Sequence, residues 1–143
     1  MAGLTGLDVM QKMAAGELPQ PAIAETLGFR LVEAEHGRAV FECEPAEFHY
    51  NPIGTVHAGL ASTLLDSAMG SAFVTTLDAG VGWTTLELKA NFTRPMTVET
   101  GTVRCIGTVV HPGRQVATTE ARLEDAAGRL LAHATSTILV LGN

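Results

Sequence analysis

The chain has 143 residues, 46% hydrophobic and 17% charged, which is enough apolar material for a sizeable core and too much for a disordered protein. Its formal net charge is −6, and its nine Lys and Arg residues are scattered from Lys12 to Arg129, which argues against nucleic acid as a partner. The two cysteines, Cys43 and Cys105, are too few for a disulfide scaffold.

The N-terminus lacks the basic and apolar regions of a signal peptide, and no run approaches the ~20 apolar residues of a membrane span. A soluble, cytoplasmic protein without membrane contact is expected. Residues 1–143 are expected to form one domain, with residues 1–20 as an N-terminal helical extension.

Leu4, Leu7, Met10, Met13 and Ala14 recur at helical spacing, so a helix is predicted over residues 4–15, stopped by Gly16 and Pro19. A short helical turn is predicted over 22–28. Phe29 to Glu35 and Arg38 to Glu44 alternate about a His36-Gly37 turn and read as a hairpin. Pro45 to Val56, with two prolines, Asn51 and Gly54, reads as a loop.

A long helix is predicted from His57 to about Thr76. Ala61, Leu64, Leu65, Ala68 and Ala72 line one face, and Asp66 shares another with Gly59, Ser62, Thr63, Met69, Gly70 and Phe73. A helix apolar nearly all round is a buried one. Four β-like runs follow, at about 82–93, 99–110, 114–125 and 129–141, and their short gaps predict antiparallel hairpins.

Chemistry concentrates in Asn51-Pro-Ile-Gly-Thr-Val-His57-Ala-Gly-Leu-Ala-Ser-Thr-Leu-Leu-Asp66. A helix start at His57-Ala58-Gly59 offers unpaired N–H groups and the positive end of a dipole to a developing oxyanion. Asp66 is a carboxylate in apolar company. Burial would raise its pKa from ~3.9 toward neutrality, where a base is most useful. The pair points to acyl chemistry.

Ala58 and Asp66 lie eight positions apart, roughly 12 Å along a helix at ~1.5 Å per residue. A base must come within about 3 Å of the proton it takes, directly or through one water. One helix therefore does not easily serve one carbonyl with both groups. Two antiparallel copies about a two-fold axis do, and they create two equivalent sites.

The order helix, two strands, long helix, four strands fits an α+β fold in which a curved antiparallel sheet wraps one apolar helix. This layout resembles the hotdog fold and its PaaI-type acyl-CoA thioesterases over about residues 20–141. The similarity is strongest in Asn51…Gly54…His57-Ala-Gly59…Asp66, in Gly82 to Pro95 and in Gly128 to Thr135. The usual family pattern is His-Gly-Gly, and Ala58 stands here for the first Gly; the family's donor at that position is a backbone N–H, which Ala keeps.

The resemblance implies hydrolysis of acyl-CoA thioesters, with Asp66 as base or nucleophile, the Ala58-Gly59 helix start as oxyanion hole and His57 orienting that region. It implies that a Ser or Thr at Thr85 holds the nucleophilic water; Thr84 is the alternative register. Asn51 either shapes its Asn-Pro turn or orients the water or substrate, and Gly54 serves loop geometry.

Arg94, Arg114 and the His111-Pro-Gly113 turn are candidates for the phosphates and adenine of coenzyme A. Met69, Phe73 and Trp83 are candidates for the acyl pocket. The family's sites lie at a dimer interface, and tetramers are common in it. No metal-ligand spacing or phosphate-binding glycine pattern is found, so no cofactor is expected beyond coenzyme A as part of the substrate. The alternative readings are a hotdog acyl-thioester dehydratase or hydratase, and a non-catalytic acyl-CoA binding module.

Overall fold

The computed structural model describes residues 2–142. Helix α1 (Gly6–Ala14) begins under a reciprocal cap in which the Asp8 N–H donates to the Thr5 hydroxyl and the Thr5 N–H donates to the Asp8 carboxylate. Helix α2 (Ala22–Leu27) ends at Gly28, whose φ of +82° is a left-handed cap. Strands β1 (Phe29–Glu35) and β2 (Arg38–Cys43) form the expected hairpin. A single 3₁₀ turn, Glu47–His49, sits in the loop before α3 (Ala58–Val74).

Strands β3 (Gly82–Phe92), β4 (Val103–Pro112), β5 (Val116–Glu124) and β6 (Leu130–Gly142) complete one six-stranded sheet in the order β1-β2-β4-β5-β6-β3. Every neighbouring pair is antiparallel.

The inner face of this sheet packs on α3. Leu64, Leu65, Ala68 and Ala72 of α3 are fully buried, as are Val103, Cys105, Ala117, Leu123, Ala134 and Ile138 of the strands. Helix and sheet come unusually close at Gly107. A Cβ built there would lie 2.1 Å from the Ala68 carbonyl oxygen, so only glycine lets β4 approach the helix backbone. Helix α1 closes one end, its Gly6 N–H donating to the Leu77 carbonyl just beyond α3.

Two sequence expectations need correction. The second of the four β-like runs starts at Val103, not residue 99, because Val98–Thr100 forms a 3₁₀ turn capped by Thr97. The short gap after β3 also does not make a hairpin: β3 pairs with β6, not with β4. Residues 93–102, with Pro95 and that 3₁₀ turn, carry the chain across to β4, which lies between β2 and β5. Strand β3 is therefore an edge of the sheet.

Cys43 and Cys105 are buried free thiols, and burial pushes the Cys43 thiol up to about 11 and Cys105 up as well. They are inert core groups. No helix among the described residues is long and apolar enough to cross a membrane.

Candidate active site

The start of α3 is built by His57. Its backbone is extended (φ −61°, ψ 135°) and its Nδ1 accepts a 2.7 Å hydrogen bond from the Gly59 N–H. An accepting Nδ1 places the ring proton of neutral His57 on Nε2. The contact also explains glycine at 59, because a Cβ there would sit 2.8 Å from Nδ1. The Leu60 N–H donates to the His57 carbonyl.

Among the described residues the Ala58 N–H donates to no acceptor, and Ala58 is exposed. Of the two N–H groups expected at this helix start, one is taken by His57 and one is open.

Two turns further on, Asp66 is half-buried between helix and sheet. Its Oδ1 accepts a 3.0 Å hydrogen bond from the Thr85 hydroxyl on β3. Thr84 is exposed on the opposite face of the strand, so the register places Thr85, not Thr84, beside the carboxylate. A bulge between Thr85 and Glu87 then resets the strand: Trp83 and Thr85 face the helix before it, Leu88 and Ala90 after it. Trp83 lies over Gly70, one turn beyond Asp66, where a Cβ would meet its ring at 2.7 Å.

The Asn51 side chain is engaged in its own loop. Its Oδ1 accepts from the N–H groups of Ile53 and Thr55, and its Nδ2 donates to the Thr55 hydroxyl at 2.8 Å. Of its two alternatives, the turn role is the one these bonds describe. Gly54, with φ +87°, supplies the left-handed residue that this turn needs.

Asn51 and Ala58 share a cleft of about 280 Å³ with Phe92, Arg94, Pro95 and Met96. Arg94 is the charged residue of its lining. On the other side of the helix start, a cleft of about 380 Å³ is lined by Leu27, Phe48, Tyr50, His57, Leu60 and Thr63, with Gly59 and His49 completing it.

Several candidates fall elsewhere. Met69 and Phe73 are 0% and 2% exposed, so in this chain they pack the core and line neither cleft. Within a single subunit, Arg114 and Gly113 lie apart from Arg94. Strand β4, which leads into their turn, meets the Gly37 turn through the Val109 N–H, and Thr75 holds the Gly37 turn at the far end of α3, whereas Arg94 lies beside Ala58 at the start. Gly113 has its own turn role, since a Cβ there would lie 2.0 Å from the Val116 carbonyl oxygen.

The buried His49, which the sequence reading did not assign, is structural. Its Nδ1 accepts from the Ala46 N–H, and its Nε2 hydrogen-bonds the Leu27 carbonyl. Among the described residues no His, Cys, Asp and Glu cluster is arranged to hold a metal ion.

The family model of the Thioesterase superfamily matches residues 53–132, which is more than half of the chain and includes His57, Ala58, Asp66, Thr85 and Arg94. The chain belongs to the thioesterase superfamily. A 1,4-dihydroxy-2-naphthoyl-CoA hydrolase from Listeria monocytogenes is 26% identical over 118 residues, covering 82% of this chain and 94% of that protein.

The crystal structure of a phenylacetic acid degradation-related protein from Ralstonia eutropha JMP134 is 30% identical with a TM-score of 0.81, covering 92% of this chain and 98% of that one. The PaaI protein of E. coli, at 20% identity, shares the fold with a TM-score of 0.82 over 94% of each chain. This member of the superfamily thus has the hotdog architecture expected of it, and it is a thioester-hydrolysing enzyme by family.

Proposed function

We propose that this thioesterase hydrolyses acyl-CoA thioesters to the free acid and coenzyme A, at a site shared by two subunits. The observation that carries this reading is the Thr85–Asp66 hydrogen bond of 3.0 Å, which couples a half-buried carboxylate to a hydroxyl on the facing strand. A hydroxyl that donates to a carboxylate keeps its lone pairs free to accept from a water.

The thioester carbonyl sits against the open Ala58 N–H of one subunit, at the positive end of its helix. Asp66 of the partner subunit takes a proton from a water held by Thr85. The water oxygen bonds to the carbonyl carbon, and the developing oxyanion is stabilised by the Ala58 N–H. Collapse of the tetrahedral intermediate breaks the C–S bond, and the proton held by Asp66 passes to the leaving thiolate.

Direct attack by the Asp66 carboxylate is the alternative first step. It would give a mixed anhydride that water then cleaves, with the same residues and products. His57 fixes the helix start through Gly59, and Asn51 holds the loop that leads into it. Arg94, exposed beside Ala58 and without an ion pair or side-chain hydrogen bond among the described residues, is placed to meet a phosphate of coenzyme A. No metal or prosthetic group enters this chemistry, and Trp83 stays on the Asp66 side of the site, over Gly70.

A two-subunit site follows from the roughly 12 Å between helix start and carboxylate. The edge strand β3, which carries Thr85, has no neighbour on its outer side among the described residues. A homodimer, or a tetramer of two such dimers, is the proposed assembly.

A panel of acyl-CoA esters with a thiol-trapping dye tests the reaction. Thiol release from at least one ester is expected, whereas an absorbance change on enoyl-CoA without thiol release would favour hydration chemistry. Thr85→Ala should lower kcat about tenfold to a hundredfold with little change in KM, because it removes positioning and not the proton acceptor. Thr84→Ala should be nearly silent. Steady-state kinetics on the best ester checks the ranking, and the reverse order would remove Thr85 from the site.

A further inference from the structure

Two clefts flank the start of α3, and their linings differ in charge. The one beside Ala58 contains Arg94. The larger one, of about 380 Å³, contains no Lys, Arg, Asp or Glu; its ionisable groups are His49, with both ring nitrogens engaged, His57, whose Nδ1 is engaged, and the phenol of Tyr50. At its rim stands Phe48, 74% exposed although it is an aromatic residue in a loop. Its ring lies against that of His49, with centroids 4.3 Å apart, and near the Gly28 cap of α2. Tyr50 is held on the same wall by its hydroxyl, which accepts from the Val98 N–H.

We infer that this larger cleft receives the acyl group, that it selects uncharged acyl groups, and that Phe48 sets how strongly bulky ones are preferred. The assignment rests on the acyl-CoA reading above and divides the substrate between the two clefts. A thioester carbonyl at Ala58 lies at their junction, since Ala58 lines one and its neighbours His57 and Gly59 line the other.

The polyanionic coenzyme A portion goes to the side with the guanidinium. An apolar acyl group gains from the side without charges, about fourfold for each methylene removed from water. An acyl group ending in a carboxylate would bury an unpaired charge there, which costs far more than a lost apolar contact.

The test uses the purified full chain with acetyl-, butanoyl-, octanoyl-, phenylacetyl- and succinyl-CoA. Wild-type enzyme is expected to prefer octanoyl or phenylacetyl over acetyl, and to disfavour succinyl against butanoyl by roughly a hundredfold or more in kcat/KM. Phe48→Ala should reduce the octanoyl-to-acetyl or phenylacetyl-to-acetyl ratio about tenfold, the worth of about two buried carbons. Phe48→Arg should shift the succinyl-to-butanoyl ratio toward succinyl by roughly tenfold, because it supplies a partner for the carboxylate. Val110→Ala, at an exposed apolar position on β4, serves as the surface control.

Unchanged ratios in both Phe48 variants, a uniform loss across all esters, or dissociation of the oligomer by Phe48→Ala would overturn the assignment. A wild-type enzyme that cleaves no thioester, or an Asp66→Asn variant that cleaves them normally, would instead overturn the underlying reading.

Discussion

Replacing Asp66 with Asn is expected to leave fold and ligand binding intact and to lower kcat by roughly 10²–10⁴, the usual contribution of a general base. The exchange keeps the shape. The Thr85 hydroxyl, which donates to Oδ1 at 3.0 Å, still finds an amide oxygen there. What disappears is the ability to accept a proton from water.

The same loss is expected if Asp66 acts as the nucleophile, because an amide does not form the mixed anhydride. Thiol release under saturating ester measures kcat, and calorimetric binding of a non-hydrolysable CoA thioether measures retained affinity. An Asn variant within a few-fold of wild type would exclude Asp66 from the reacting atoms.

Ala58→Pro is expected to cost roughly 10²–10³ in kcat, the usual loss for one oxyanion donor. The substitution is mild for the fold. Position 58 is the first residue of α3, where an N–H has no intrahelical partner and proline is well tolerated. The preceding His57 is already extended, as a residue before proline prefers to be. The His57–Gly59 contact involves the next N–H and survives. Ala58→Gly restores the common family motif and should stay within several-fold of wild type. A folded Pro variant with near wild-type kcat would mean that the oxyanion is bound elsewhere.

Much of this was legible in the sequence, because the relevant signals are local. The apolar face of residues 61–72 specified a buried helix, and Asp66 stood out as the carboxylate within it. The His57-Ala-Gly59 start marked the helix N-terminus. What was not legible depends on pairing across the fold. Alternation alone could not choose between Thr84 and Thr85; contact with Asp66 chooses, and the bulge at Leu86 then inverts the pattern for the rest of β3.

Gap length suggested that β3 and β4 are neighbours, whereas β4 lies between β2 and β5. Met69 and Phe73 sit on the Asp66 side of the helix in projection, but the sheet curves far enough to bury both. The uncharged cleft gathers Leu27, Phe48, Tyr50 and Leu60 from separate segments, so no single motif announces it.

The central claim is that each site takes its oxyanion donor from one subunit and its carboxylate from the other. Subunit complementation tests it most directly. Ala58→Pro and Asp66→Asn chains, each nearly inactive alone, are co-expressed with different tags so that mixed dimers form. In a mixed dimer one shared site carries both lesions and the other carries none. Random pairing makes about half of the dimers mixed, so a two-subunit site restores about a quarter of wild-type kcat per active-site pair, and purified mixed dimers about half. If both groups instead act from the same chain, every site in the mixture is damaged, and activity stays at the level of the separate variants.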